Sequence, residues 1–344
     1  MLKYIKIIIH IYYTALQRIF QEDLAMMDKF FSIEKTLYNS RPAIRVGFNF
    51  PFSLCDTLEC GQIFRYEVIK NEGGYIEYML PIKEKLFIIG QERRGELLFF
   101  TDDEKAVTEY AIPFLDGYFD YTGAMLKIKD GTDSDWLRRA CQFGEGIAIL
   151  NQDAWECLIS FIISQNNNIP RIRRIIREIC YEYGECLATK NGLEKCPISR
   201  ISTTPCRENC RGCGACYTFP TPEAIRNNPK GLLPSHPGFR YRYILDAVEK
   251  VYSGELSLDE LRNISDYDTL REKLKTIVGV GDKVADCVAL FGFHRLDSFP
   301  IDVWMRRAID TYFDGKLNIT KYESLAGLAQ QYIFHYIRNG EGKA

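Results

Sequence analysis

Residues 274–287 read LKTIVGVGDKVADC, and this stretch decides the fold of the C-terminal part of the chain. An apolar helix ends, Gly279-Val280-Gly281 makes a tight turn, and a second apolar helix begins. The unpaired amides at the start of a helix favour phosphate groups. The sequence therefore predicts a helix-hairpin-helix in which Gly279 and Gly281 contact a phosphate backbone without reading its sequence. A plain αα-turn with a glycine cap would give the same pattern.

Two further residues near this hairpin suggest chemistry. Lys283 stands at the start of the second helix, where the helix dipole disfavours a positive charge and so favours the nucleophilic neutral amine. Residues 299–307 read FPIDVWMRR, and Asp302 stands where another helix begins. Its carboxylate can take a proton from the amine and stabilise positive charge on a sugar. The pair is predicted to be catalytic, whereas the structural alternatives are a solvated lysine and an N-cap.

The rest of the chain divides by its hydrophobic pattern. Segments 75–80, 85–89 and 96–100 are rich in aromatic and branched residues and predict antiparallel strands. From about residue 135 the apolar residues recur at helical spacing. The predicted fold is α+β: an N-terminal antiparallel sheet subdomain at 43–121, then a mostly α-helical domain at 122–344. Segment 1–42 is predicted to be an N-terminal extension.

Net charge and hydropathy restrict what the protein can bind and where it is located. The formal net charge is -2 and the sequence pI about 6.2, so any nucleic-acid binding must come from local patches and helix ends. The apolar run at residues 7–13 is too short to span a bilayer, and Lys6 and His10 interrupt it. We interpret it as an amphipathic extension, or as the result of a start codon assigned too early, with Met26 or Met27 as the true start. We expect a cytoplasmic monomer without membrane contact.

The hairpin, Lys283 and Asp302 together resemble the helix-hairpin-helix DNA glycosylase superfamily. In that superfamily the lysine marks the bifunctional branch, which removes a damaged base and then cuts the strand. Val278 departs from the pattern, because proline often precedes the first hairpin glycine in the superfamily. The departure concerns the stiffness of the turn rather than the chemistry.

Within the superfamily, four segments resemble the 8-oxoguanine DNA glycosylase family. They read CGQIFRY at 60–66, LNQDAWECLISFIISQNNNIPRI at 150–172, GFRYRY at 238–243 and AQQYIF at 329–334. The resemblance spans residues 44–338, and it assigns roles by position. For the damaged base, the resemblance implies that the carbonyl of Gly61 accepts a hydrogen bond from the N7 proton, which guanine lacks. Cys287 would pack on one face of the base, Gln330 would bind it, and the ring of Phe334 would stack on it.

The same resemblance assigns residues to the cytosine left without its partner. Asn166 and Arg171 hold that cytosine, Phe239 wedges into the base stack, and Arg240 also contacts the cytosine. Animal members have histidine two residues after the catalytic aspartate, where it contacts phosphate. This chain has Trp304 there, so that contact is not transferred.

The implied function is base-excision repair on double-stranded DNA that contains oxidised guanine. The enzyme would excise 8-oxoguanine opposite cytosine through a lysine imine and cut the strand by β-elimination, with no cofactor required for catalysis. One alternative is a glycosylase for oxidised pyrimidines resembling endonuclease III, although the N-terminal sheet and the Gly61 segment argue against it. The other is a non-catalytic DNA-binding module, although retention of Lys283 and Asp302 argues against that.

An insert at 186–222 interrupts the helical part, and the resemblance assigns it no role. It is rich in cysteine, glycine and proline, and four closely spaced cysteines suggest a metal in a reducing compartment: Cys206, Cys210, Cys213 and Cys216. The spacing favours an iron–sulfur cluster over zinc, although free thiols in an exposed loop would fit as well. We predict a structural metal that takes no part in the lysine chemistry.

Overall fold

The computed structural model describes residues 29–191 and 216–340. Its N-terminal part is a sheet built from the strands β1 (Phe31–Tyr38), β2 (Arg41–Phe48), β3 (Glu67–Glu72), β4 (Tyr75–Ile82), β5 (Lys85–Gln91) and β6 (Glu96–Phe99). The six strands lie in the order β1-β2-β6-β5-β4-β3, and every neighbouring pair is antiparallel. A sheet followed by helices confirms the predicted α+β order.

The first strand lies within segment 1–42, for which the sequence predicted an extension. Phe31 pairs with Phe48 of β2, and its ring meets the edge of Tyr118 with 5.4 Å between centroids. Phe31 is the one buried residue of this strand, so the alternation that marks a half-buried strand is weak here. Backbone pairing with β2 establishes the strand, and local hydropathy does not reveal it.

Helices make up most of the remainder. They are α1 (Leu54–Glu59), α2 (Glu104–Ala106), α3 (Ile112–Phe114), α4 (Tyr121–Asp130), α5 (Asp135–Phe143), α6 (Ala154–Ser164), α7 (Ile169–Tyr183), α8 (Leu187–Lys190), α9 (Pro222–Asn227), α10 (Arg240–Tyr252), α11 (Leu258–Arg262), α12 (Tyr267–Lys275), α13 (Asp282–Gly292), α14 (Val303–Tyr312) and α15 (Ala326–Asn339). A π-helical turn, Val107–Ala111, joins α2 to α3, and Pro229–Ser235 and Ile319–Leu325 are 3₁₀ helices. The strands thus end at Phe99, and helix already replaces sheet within the predicted sheet segment 43–121.

A buried ion pair joins the segment just before β3 to the helical part. Arg65, just before β3, donates Nε to Glu156 Oε1 at 2.8 Å and Nη2 to Glu156 Oε2 at 2.6 Å. The arginine side chain is 4% exposed and its Nη1 also donates to the carbonyl of Tyr217 at 2.6 Å. A buried bidentate pair of this kind fixes orientation as well as distance. It anchors the loop at 60–66 against α6, and this loop forms part of the site described below.

Candidate active site

The predicted hairpin is present between α12 and α13. Gly279 has φ +83°, and a Cβ there would lie 2.4 Å from the ring of Tyr243 on α10, so the turn requires glycine. Gly281 is extended instead, with φ -99°, and precedes α13 as its N-cap. The Val278 N–H donates to Asp246 Oδ2 at 2.7 Å, which ties the turn to α10. The packing of the turn against α10 therefore holds the start of α13 in a fixed position.

Lys283 and Asp302 line the same two adjoining cavities. Both line an open cleft of about 1300 Å³ and also the smaller pocket at its base. Lys283 is half-buried in the first turn of α13, with Nζ 5.2 Å from the centre of the Phe161 ring. Asp302 caps α14, because its Oδ1 accepts from the Met305 N–H at 2.8 Å. The other carboxylate oxygen, Oδ2, makes no hydrogen bond to any residue that the structure describes.

Two thiols lie behind the lysine. Cys287, one turn further along α13, is 4% exposed, and burial raises its pKa to about 11 although Lys283 acts in the opposite direction. Burial also raises the pKa of Cys157 on α6 well above its ordinary value. Both therefore stay neutral at physiological pH, and of the two thiols Cys287 lines the small pocket together with Lys283. This suits Cys287 for contact with the face of a base.

The smaller pocket has a volume of about 50 Å³. It is lined by residues from five parts of the chain, which are Cys60, Gly61, Phe161, Lys283, Cys287, Phe291, Pro300, Asp302, Gln330, Gln331 and Phe334. The volume is that of one or two water molecules. This volume alone does not hold a purine, but Gly61, Phe161 and Phe334 of its lining also line the adjoining open cleft.

Gly61 sits on a loop that a neighbouring glutamine holds in place. Its φ is +87°, and a Cβ there would lie 3.5 Å from the ring of Phe334. Gln62 is fully buried; its Nε2 donates to the carbonyls of Thr57 at 2.9 Å and Ala148 at 2.8 Å, and its Oε1 accepts from the Leu150 N–H at 2.9 Å. The loop is therefore rigid where it forms the wall of the pocket.

The three consecutive asparagines have different environments. Asn167 donates to the carbonyl of Ile163 at 2.8 Å, and Asn168 caps α7 by accepting from the Arg171 N–H at 3.0 Å. Asn166 is exposed with φ +50°, and no described residue accepts or donates a hydrogen bond to its side chain. Asn166 and the exposed Arg171 both line the cleft. Of the triplet, Asn166 is thus the one available to a ligand.

Phe239 and Arg240 lie next to the asparagine loop but line neither cavity. Phe239 is 47% exposed, and its ring packs edge-on against Tyr243 with 5.6 Å between centroids. Arg240 is 3% exposed and donates Nε to the Gln165 carbonyl at 2.8 Å and Nη2 to the Asn166 carbonyl at 3.1 Å. Burial, with the charge of Arg171, lowers its pKa. In this structure Arg240 holds the loop that presents Asn166, and its predicted contact with cytosine remains a prediction.

The outer rim of the cleft combines apolar and basic side chains. Val303 is 83% exposed and Trp304 is 40% exposed, directly after Asp302. Arg306 and Arg307 follow on the same helix and also line the cleft. Such a surface suits a polyanion whose sugars and bases offer apolar faces.

The predicted metal ligands fall mostly outside the described residues. Cys206, Cys210 and Cys213 lie there, whereas Cys216 is 2% exposed and packs with Ile69 and Met79 beside the sheet. Within residues 29–191 and 216–340, no three His, Cys, Asp or Glu side chains converge as a metal site would require. The helices in these ranges are also too short or too polar to cross a bilayer.

Some lining residues were not among the predicted site residues. Phe161 belongs to an apolar stripe that reads as core, yet its ring lies beneath Lys283. Gln331 adjoins the predicted Gln330, and Arg338 lies over the ring of Phe334 at 5.1 Å. Spacing along a helix indicates which face a residue occupies, but not what that face meets after folding. No sequence signal distinguishes these residues from ordinary packing residues.

The comparisons with known proteins agree with this arrangement. Residues 47–158 match the family model of the 8-oxoguanine DNA glycosylase N-terminal domain. The N-glycosylase/DNA lyase of Saccharomyces cerevisiae is 29% identical over 273 residues, which cover 74% of this chain and 66% of the yeast protein. The chain therefore matches just under two thirds of the length of that relative.

Two solved structures resemble the whole described fold. The structure of MBOgg1 in complex with a low-affinity DNA ligand is 30% identical, has a TM-score of 0.73, and covers 90% of this chain and 98% of its own. The 8-oxoguanine glycosylase/lyase of Clostridium acetobutylicum, bound to double-stranded DNA with cytosine opposite 8-oxoguanine, is 29% identical. Its TM-score is 0.72, and the match covers 90% of this chain and 98% of that one.

Proposed function

Because the chain belongs to the 8-oxoguanine DNA glycosylase family, we propose that it is a bifunctional DNA glycosylase and abasic-site lyase of base-excision repair. Its substrate is double-stranded DNA in which 8-oxoguanine stands opposite cytosine. The observation that carries the proposal is the shared position of Lys283 and Asp302 at the opening between cleft and pocket. A nucleotide that enters the pocket base-first brings its sugar to both residues.

The chemistry follows from that position. Lys283, as the neutral amine, bonds to C1′ while the bond from C1′ to the base breaks, and the base leaves with the electron pair and takes up a proton. The carboxylate of Asp302 stabilises the positive charge that develops on the sugar. Opening of the sugar ring gives the imine. Loss of a proton from C2′ then expels the 3′ phosphate by β-elimination, so both steps proceed without a cofactor.

Recognition divides between the two cavities. Gly61, Cys287, Gln330 and Phe334 line the small pocket, which takes the damaged base. Asn166 and Arg171 line the open cleft, where the unpaired cytosine and the backbone remain. Phe239 is the exposed aromatic wedge, and Gly279 and Gly281 grip phosphate through backbone amides.

The lysine assignment is tested by borohydride reduction on a duplex with 8-oxoguanine opposite cytosine. Wild-type protein should give a covalent protein–DNA adduct, and Lys283→Gln should bind the duplex yet give none, since no imine forms. Lys273→Gln is the matched control, because Lys273 is an exposed lysine on the other helix of the hairpin, outside the cleft. A normal adduct yield from Lys283→Gln would refute the assignment.

The same assay separates the candidate substrates. Excision should be faster opposite cytosine than opposite adenine, because the groups assigned to cytosine are covered by bound DNA and the wrong partner leaves them unpaired. Faster cleavage of thymine glycol than of 8-oxoguanine would favour the pyrimidine-specific alternative. Failure on all substrates, with DNA binding intact, would favour the non-catalytic module.

Two finer points remain part of the proposal. A structural metal, an iron–sulfur cluster or zinc, would be bound by the cysteines of the insert 186–222, and metal analysis of anaerobically purified protein tests this. Less than roughly a tenth of an equivalent of both iron and zinc would exclude it, since structural sites bind their metal stoichiometrically. A cytoplasmic location is supported by the free, buried thiols of Cys157 and Cys287.

A further inference from the structure

The small pocket contains a buried polar atom whose hydrogen-bonding capacity is unused. Gln331 is 3% exposed, and its Oε1 is buried without a hydrogen-bond partner among the described residues. Buried acceptors are nearly always paired, because an unpaired one has lost its contacts with water and gained nothing in return. An orphan of this kind at the wall of a binding pocket indicates that the ligand supplies the missing donor.

The other half of the same amide is engaged. Gln331 Nε2 donates to Gln330 Oε1 at 2.8 Å. This bond fixes both amide groups, since it orients Gln330 with its oxygen toward Gln331 and its Nε2 away from it. Within the part of the chain that the structure describes, Gln330 Nε2 has no acceptor. The pair thus offers one free donor, Gln330 Nε2, beside one free acceptor, Gln331 Oε1.

This donor–acceptor order matches one edge of guanine. The Watson–Crick edge of guanine carries the acceptor O6 next to two donors, the N1 proton and the 2-amino group. Adenine carries the reverse order at the equivalent positions, with a 6-amino donor next to the acceptor N1. A guanine-derived base would therefore satisfy both free groups, whereas an adenine-derived base would leave both unpaired.

We propose that Gln331 is a second base-reading residue, which acts with Gln330 as an amide pair that selects oxidised guanine by its Watson–Crick edge. Gln330 Nε2 donates to O6, and Gln331 Oε1 accepts from N1 or the 2-amino group. The inference rests on the proposed glycosylase function and adds a specificity determinant on the edge of the base remote from Gly61. Both amides lie on α15, which forms one wall of the pocket.

The test compares Gln331→Met, which preserves length but removes both polar groups, with wild type under single-turnover conditions. On 8-oxoguanine opposite cytosine we expect base release to slow at least about tenfold, the usual scale for one buried hydrogen bond. On a duplex with a preformed abasic site, where no base is read, strand cleavage should be unchanged. The control Gln142→Met, at an exposed glutamine on α5, should alter neither rate.

Altered bases then identify the contact. Discrimination between 8-oxoguanine and 8-oxoadenine should narrow in Gln331→Met. If 8-oxoinosine, which lacks the 2-amino group but keeps the N1 proton, is excised by wild type at the 8-oxoguanine rate, Oε1 accepts from N1. If it is excised as slowly as 8-oxoguanine is by the variant, Oε1 accepts from the 2-amino group.

The outcomes that overturn the proposal are distinct from failure of the function itself. Unchanged excision by Gln331→Met, with wild type active, overturns the role of Gln331 alone. Equal losses on 8-oxoguanine and on the abasic site show a packing role and also overturn it. An inactive wild type on 8-oxoguanine would instead refute the proposed function.

Discussion

The two carboxylate oxygens of Asp302 have different environments, because one caps a helix and the other has no partner among the described residues. Oδ1 caps α14 through the Met305 N–H at 2.8 Å, while the side chain remains half-buried at the opening beside Lys283. The capping hydrogen bond holds the carboxylate in one orientation, so the start of α14 also fixes the direction of the free oxygen. The structural interpretation and the catalytic one are therefore compatible.

Asp302→Asn separates the two roles, because asparagine caps a helix about as well as aspartate but carries no charge. Base release should slow by about 10²–10⁴-fold, the range for loss of a positioned acid–base group. The free energy of unfolding should change by less than ~0.5 kcal/mol, measured by urea titration.

Two companion variants complete that comparison. Asp302→Ala loses the cap as well and should cost about 0.5–2 kcal/mol of stability. Asp266→Asn, at the equivalent cap of α12 and away from the cleft, should leave base release unchanged. Full activity in Asp302→Asn would limit Asp302 to its structural role.

At the residue scale, the sequence predicted which residues line the cavities better than it predicted which partners their side chains contact. Motif resemblance predicted Gly61, Asn166 and Gln330, and all three line a cavity. It did not predict that the guanidinium of Arg240 would be satisfied by the backbone of the asparagine loop. Which partner a buried donor finds is decided by chain segments that are distant in sequence, so local pattern carries no information about it.

Among the elements, the hairpin combines two glycines with unlike requirements. Gly279 needs its positive φ and leaves no space for a side chain beside Tyr243, whereas Gly281 is extended, and a Cβ added there would meet no atom within 4 Å. The sequence predicts the same role for both, because spacing alone does not report backbone angles. The two positions therefore serve as each other's control.

Gly279→Ala should destabilise the protein by about 1–3 kcal/mol, the cost of a non-glycine residue held in an unfavourable backbone conformation. Gly281→Ala should cost less, at most about 1 kcal/mol, because its backbone is extended and only the poorer N-cap preference of alanine opposes it. Denaturant unfolding measures both. Similar losses in the two variants would contradict the difference in backbone geometry.

At the scale of the whole molecule, a partly buried polar cluster connects the end of α13 to the rest of the fold. His294 Nε2 lies 3.1 Å from Asp116 Oδ2, and that carboxylate accepts from the Tyr121 hydroxyl at 2.7 Å. The Tyr121 oxygen accepts in turn from the Ile149 N–H at 2.7 Å. The helix that carries Lys283 is thus secured at its opposite end.

This cluster gives stability a defined pH dependence. Burial, the largest single influence, lowers the pKa of His294, but the contact with Asp116 and the backbone of Ile149 together outweigh it, so the net pKa lies above the ordinary 6.5. A raised folded-state pKa stabilises fully below the unfolded value and loses that contribution as pH rises through the folded one. Between about pH 6 and pH 8 the free energy of unfolding should therefore fall more steeply in wild type than in His294→Gln.

His335 provides the comparison for that measurement. Burial lowers its pKa, so its contribution has the opposite sign and is lost as pH falls below the ordinary value. His335→Gln should consequently steepen the fall that His294→Gln flattens. Parallel pH profiles in wild type and His294→Gln would show that the His294–Asp116 contact contributes nothing to stability.

At this scale the sequence predicted the α+β order and the family, because both follow from long runs of residues. It did not predict β1, whose one buried residue leaves no pattern, or the helices at 104–114 inside the expected sheet segment. Both depend on what the segment meets after folding. Tertiary contacts override local propensity in such places.

The pocket wall joins segments from opposite ends of the chain: Gly61 lies on the loop before β3, while Gln330 and Phe334 lie on α15. A crossover between related genes anywhere from codon 61 to codon 330 would unite two half-walls with separate histories. On the proposed function, selectivity for the damaged base therefore cannot be moved between proteins as one contiguous segment.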